Sequence, residues 1–138
     1  MILGEKTKSL LETLSFRRPE ICQSDYQFQQ PGEGIIQPYQ DAMFHYVEPM
    51  TAVVNIKIAL DNLDESNSCT WVAPGSHRHG LIDGIRYVRT MMEQSHEMRL
   101  KFRGAWPMKN VKQRFSFIPV RMNAGDAIVL HSLVLRQW

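Results

Sequence analysis

The apolar positions along the chain begin at helical spacing and then settle into alternation. Leu3, Leu10, Leu11 and Leu14 lie at helical spacing and Pro19 bars continuation, so the pattern predicts an amphipathic helix over 1–16. Beyond it strands dominate. Tyr26 and Phe28 alternate with Asp25, Gln27 and Gln29 ahead of the breaker Pro31-Gly32-Glu33-Gly34, which reads as a strand closed by a turn. A stronger strand runs from Thr51 to Asp61. There Val54, Ile56, Ile58 and Leu60 share one face and Asn55, Lys57 and Ala59 the other, as a half-buried sheet requires.

Further along, Cys69 to Ala73 reads as a short strand closed by Pro74-Gly75-Ser76-His77. Phe115 to Met122 and Ala127 to Leu135 flank the turn Asn123-Ala124-Gly125-Asp126. One long segment interrupts the pattern: Leu81, Ile82, Ile85, Val88, Met91 and Met92 lie at helical spacing, predicting a helical excursion within about 78–114. The fold class expected is mostly β, a double-stranded β-helix or cupin-like jelly roll with an N-terminal helix. The expected organisation is one domain over 1–138, with the helix at 1–16 and the jelly-roll core at 24–138.

Composition narrows the function classes. A chain of 138 residues, 43% apolar and 22% charged, is ordinary for one compact soluble domain. Its net charge of +2 is too small to argue for nucleic acid or an anionic membrane. The charge is nonetheless uneven, since nine lysines and arginines between Arg78 and Arg114 face only Asp83, Glu93 and Glu97. That segment is read either as a solvated face or as a seat for an anionic ligand. Cys22 and Cys69 lack a paired-motif spacing and are read as buried thiols. No stretch approaches the roughly 18 continuous apolar residues of a membrane span, so a soluble, cytoplasmic protein is expected.

Three blocks carry a resemblance. They are Phe28-Gln29-Gln30-Pro31 leading to Pro38-Tyr39-Gln40-Asp41-Ala42; Ile58-Ala59-Leu60-Asp61-Asn62 through Asn67-Ser68-Cys69 to Pro74-Gly75-Ser76-His77; and Ala124-Gly125-Asp126-Ala127 to His131-Ser132-Leu133. In order and spacing they resemble the phytanoyl-CoA dioxygenase family from about Tyr26 onward. The resemblance implies an Fe(II) and 2-oxoglutarate-dependent oxygenase fold, in which a His-x-Asp pair and one distant histidine hold iron. Two imidazoles and a carboxylate on one face of an octahedron leave positions open for co-substrate and oxygen. The family reaction hydroxylates a C–H bond while 2-oxoglutarate is decarboxylated.

The chain departs from this pattern at the metal positions. Tyr39 stands where the histidine of His-x-Asp belongs, Asp41 is the surviving carboxylate, and Arg136 stands at the distal histidine. A phenol ionises only near pH 10 or so, and a guanidinium has no lone pair to give a metal. The arginine that relatives direct at the 2-oxoglutarate carboxylate is absent, and Gln29 is the one candidate co-substrate contact. Lys57 replaces a usual aromatic residue. His45, His77, His79 and His131 are read as structural or surface residues, His131 having the best claim to a rebuilt iron site.

With Tyr39 and Arg136 in these places, Asp41 and Arg136 are expected to form an ion pair across the old iron site. The opposing expectation is that Leu135 to Trp138 fray. Three functional readings follow: an oxygenase with altered ligands acting on a small or acyl-CoA-like molecule; a non-catalytic module using Arg86, Arg89, Arg99, Lys101 and Arg103 to hold an anion; or a truncated or frameshifted piece of an active oxygenase, lacking its last strands. Iron and 2-oxoglutarate are family cofactors, expected not to bind here.

Overall fold

The structure, a computed structural model, describes residues 4–30, 36–45, 47–49, 52–67, 69–91, 98–104 and 108–138. The chain forms two compact units, 1–30 and 31–138. The first contains helix α1 (Glu5–Thr13), which ends short of the Phe16 that the apolar spacing predicts; residues 1–3 of the expected helix lie outside the described residues. Ser15, at φ 69°, ends it: the Phe16 N–H donates to the Leu11 carbonyl and the Ser15 N–H to the Glu12 carbonyl, both at 2.9 Å. This left-handed closure satisfies the last carbonyls of the helix before Pro19 is reached. Tyr26 and Phe28 form no strand and are 72% and 71% exposed. Their alternation found no partner edge, and an unpaired strand does not persist alone.

The second unit contains the sheets. Strand β1 (Val54–Ile58) pairs antiparallel with β6 (Ala127–His131), while β2 (Thr70–Val72) lies between β5 (Ile118–Val120) and β7 (Arg136–Gln137). The regular structure of the unit is thus mostly strand, with no closed barrel among the described residues. Val54 and Ile56 on the apolar face of β1 are half-buried, as are Asn55 and Lys57 on the other, and the two faces part only at the end of the strand. Ile58 and Leu60 are 46% and 59% exposed, whereas Ala59 is 1% exposed and its face-mate Lys57 is half-buried.

The segment expected to be helical is instead a two-stranded ribbon of β3 (Arg86–Met91) and β4 (Met98–Arg103), followed by one short helix, α2 (Val111–Arg114). Apolar residues at mixed spacings fit both periods, and cross-strand partners decided for the ribbon. On one face Tyr87 packs on Phe102 with ring centroids 3.8 Å apart, and Phe44 covers both rings at 5.5 and 6.1 Å. The register puts Arg86 opposite Arg103, Lys101 opposite Val88 and Arg99 opposite Thr90 on the other face. Arg89, opposite Leu100, lies on the aromatic face instead. Gly104, at φ 101°, lets the ribbon's end pass Ile85; a Cβ there would sit 2.8 Å from the isoleucine Cγ1.

The core joins these parts. Tyr39, Met43, Ala73, Ile82, Ile85, Met108, Val111 and Leu135 form one buried cluster, with Phe102, Phe115 and Trp138 against it. Cys69 is buried as expected, whereas Cys22 is exposed. No described helix is long and apolar enough to cross a membrane.

Candidate functional site

Residues 36–39 add an edge to the β5–β2–β7 sheet. Tyr39 and Arg136 exchange both backbone hydrogen bonds at 2.9 Å, and the Ile36 N–H donates to the Trp138 carbonyl at 2.6 Å. Tyr39 and Arg136 are therefore cross-strand partners, and a two-residue step along each strand returns a side chain to the same face. That arithmetic sets Trp138 beside Arg136, while Asp41 opens a one-turn 3-10 helix (Asp41–Met43) directly after the extended Gln40.

The Arg136 guanidinium donates from Nη2 to Asp41 Oδ1, forming a short buried ion pair. Its side chain is 5% exposed and that of Asp41 11%. Aromatic rings enclose the pair: the guanidinium carbon lies 5.0 Å from the Tyr39 ring centroid and 5.3 Å from that of Trp138, and the two rings meet edge to face at 5.4 Å. Cation–π contacts of this kind gain strength in a dry setting. Arg136 Nε is buried with no hydrogen-bond partner among the described residues. The chain end does not fray, since Leu135 is fully buried and Arg136 is 4% exposed.

Two polar side chains stitch the site together. Gln40, the spacer between Tyr39 and Asp41, is wholly buried. Its amide donates to the carbonyls of Gly80 at 2.9 Å and Leu133 at 2.6 Å, and its oxygen accepts from the Ile82 N–H at 2.8 Å. Ser76, in the turn that Gly75 opens at φ 79°, donates to the Ala73 carbonyl at 2.7 Å and accepts from the Leu135 N–H at 2.9 Å. The Pro-Gly-Ser-His turn is thus a clamp on the strand that delivers Arg136.

Lys57 reaches the site from the other sheet. Its Nζ donates to Thr70 Oγ1 at 2.7 Å and lies 4.9 Å from the Trp138 ring centroid. Burial lowers its pKa from the ordinary 10.5, the Arg136 charge lowers it further, and Cys69 opposes the shift weakly.

The expected strand from Ala127 to Leu135 breaks after His131. The Val134 N–H donates to the His131 carbonyl at 2.9 Å, and the Leu133 N–H to His131 Nδ1 at 3.1 Å. This turn, rather than strand parity, separates His131 from Arg136. His131 stacks near His77 at 5.5 Å, and its pKa is lowered by burial first and by His77 second. His79 packs edge-on against Phe115 at 5.3 Å. Gln29 lies in the first unit, half-buried, in chain that forms no strand.

The donor set at this centre does not fit iron. Asp41 is engaged by a permanent cation, its neighbours in the predicted positions are a phenol and a guanidinium, and no three His, Cys, Asp or Glu side chains converge among the described residues. The sequence pointed to Tyr39, Asp41 and Arg136, which do meet. It did not point to Gln40 as the buried spacer, nor to the Lys57–Thr70–Trp138 contacts; only the replacement of a usual aromatic by Lys57 signalled them.

Comparison with known proteins bears on the same residues. The family model of Phytanoyl-CoA dioxygenase (PhyH) matches residues 3–136. Phytanoyl-CoA dioxygenase 1 of Oryza sativa subsp. japonica is 33% identical over 135 residues, covering 97% of this chain and 44% of the relative. Phytanoyl-CoA dioxygenase of Arabidopsis thaliana shows the same identity and coverage. Phytanoyl-CoA dioxygenase domain-containing protein 1 of Danio rerio is 31% identical over 139 residues, covering 96% of this chain and 43% of the relative. The chain spans less than half the length of these curated relatives. With its family match running through Asp41 to Arg136, the chain belongs to the phytanoyl-CoA dioxygenase family.

Proposed function

We propose that this chain is a dioxygenase-family domain in which the Asp41–Arg136 ion pair closes the former metal centre, leaving a non-catalytic module on a jelly-roll scaffold. The observation that carries the reading is the guanidinium on the carboxylate, enclosed by Tyr39 and Trp138. A buried arginine supplies beside Asp41 the positive charge that a metal would otherwise supply, and it cannot lose its proton. The pairing of β1 with β6 and of β2 with β5 and β7 supports the jelly-roll assignment, with residues 31–138 as its core.

Anaerobic Fe(II) titration in the presence of 2-oxoglutarate tests the reading. No uptake at high micromolar iron is expected, and stoichiometric uptake would overturn it. The Tyr39→His, Arg136→His double variant restores two imidazoles beside Asp41 and is expected to gain iron binding.

A second reading has its own observation. Arg86, Arg99, Lys101 and Arg103 share one face of the β3–β4 ribbon, with the aromatic residues turned away. Four cationic side chains on one face favour an anion, so this face suits a phosphate-bearing, acyl-CoA-like ligand. Coenzyme A is the probe. Salt-sensitive binding that Lys101→Glu with Arg103→Glu abolishes and Asp41→Asn leaves intact supports this reading; no binding at low salt refutes it.

A further inference from the structure

Strand β6 ends at His131, and an imidazole helps to hold the turn that follows. The Leu133 N–H donates to His131 Nδ1 at 3.1 Å, and the Val134 N–H to the His131 carbonyl at 2.9 Å. Further on, the Leu135 N–H donates to Ser76 Oγ at 2.9 Å, and the residue after Ser76 is a second histidine. The His77 and His131 rings lie 5.5 Å apart, so the two turns that grip residues 132–135 meet through a pair of titratable rings. The gripped residues matter to the site. The Ser132 carbonyl accepts from the Ala42 N–H, the Leu133 carbonyl accepts from the Gln40 amide, and the next strand begins at Arg136.

An amide that donates to Nδ1 needs the lone pair there, so the neutral His131 ring carries its proton on Nε2. A second proton can go only to Nδ1. It removes the acceptor and sets one N–H against another across 3.1 Å. No carboxylate among the described residues offsets the charge: Val54 is the partner of His131 on β1, residues 132–134 are uncharged, and the group acting on His131 from the 74–77 turn is His77. On His77 itself, Nδ1 is buried with no hydrogen-bond partner among the described residues, so a proton there goes unsatisfied. The open turn takes up a proton near pH 6.5 or so, as a free imidazole does, and the closed turn only at lower pH, so acid favours opening.

We propose that His131 and His77 form an acid-operated latch on the closed centre: protonated, they free residues 132–135 from the 74–77 turn, and Arg136 draws away from Asp41 while the rest of the domain stays folded. As regulation of that centre the latch rests on the Asp41–Arg136 reading, but it is read out without iron.

Amide hydrogen exchange on the whole chain, followed by NMR at pH 7.5 and 5.5 and corrected for the intrinsic pH dependence, tests it. Protection at Leu133 and Leu135 is expected to fall several-fold, up to the roughly tenfold per pH unit that one proton allows below about pH 6.5, while Ile56 and Val129 keep theirs. The Arg136 Nε–H, buried at neutral pH, is expected to exchange faster in step. In His131→Asn the side-chain oxygen can accept from the Leu133 N–H without titrating, so protection should stay flat with pH. Unchanged protection at Leu133 and Leu135 in the wild type would overturn the latch. So would a loss shared equally by Ile56 and Val129, an Arg136 Nε–H that stays protected, or a loss that persists in His131→Asn. Iron uptake by the neutral protein would sink the closed-centre reading and leave these exchange profiles as they are.

Discussion

Replacing Arg136 by methionine tests the central contact most directly. At 5% and 11% exposure, the Arg136 and Asp41 side chains have little access to water. Methionine fills much of the arginine's volume between the Tyr39 and Trp138 rings but removes the charge, so the Asp41 carboxylate stays buried without its guanidinium. Breaking a buried ion pair on one side costs about 3–5 kcal/mol. With an unfolding entropy near 2.1 cal/mol/K per residue, that loss lowers the Tm of a chain this long by about 10–17 °C. Thermal unfolding followed by circular dichroism, on wild type, Arg136→Met, Asp41→Asn and the double variant, measures the effect. The double variant should recover part of the loss, with a coupling energy of about 2 kcal/mol or more, within the range for groups in contact. Arg136→Lys should fall between, because an ammonium keeps the charge but not the flat contact with the rings. A drop of under about 3 °C for Arg136→Met, or strictly additive single variants, would refute the reasoning.

Other consequences are open to measurement. Gln40→Leu leaves the Gly80 and Leu133 carbonyls and the Ile82 N–H without their partner, and is expected to lose about 2–4 kcal/mol in urea unfolding. Ser76→Ala removes the link from Ala73 to Leu135 and should lose about 1–2 kcal/mol by the same assay. The lowered pKa of Lys57 means that the unfolded chain holds its proton more tightly, so stability rises with pH between the folded value and about 10.5; Lys57→Met should flatten that rise. His131 behaves as a neutral ring in the fold. As pH falls from about 6.5 towards its lower folded value, the unfolded chain takes up the proton first, and stability declines; His131→Gln should remove this decline.

Much of the site was legible in the sequence through its resemblance to the family. The resemblance placed Tyr39, Asp41 and Arg136 at one centre, and the charges of Asp41 and Arg136 are complementary there. The strands around Lys57, Trp71, Pro119 and Val129 were also readable, because alternation and turn residues act locally. The helix over Glu5–Thr13 was readable for the same reason.

Tertiary structure decided what alternation leaves open. Period two says that β1 has two faces and not which one meets the core; at its end packing buried Ala59 and left Ile58 and Leu60 exposed. Arg86 to Arg103 carried apolar residues compatible with a helix, and the cross-strand stack of Tyr87 on Phe102 under Phe44 made them a ribbon. Tyr26 and Phe28 alternated as well, but a strand needs a neighbouring edge, which sequence spacing cannot supply. The buried hydrogen bonds of Gln40 depend on chain segments some 40 and 93 residues away. The sequence by itself thus pointed to the family, to the helix at Glu5–Thr13 and the strands around Lys57, Trp71, Pro119 and Val129, and, through the resemblance, to the members of the ion pair. Folding alone determined which faces are buried and that Lys57 joins the pair across two sheets, because burial is a property of neighbours that only the closed chain provides.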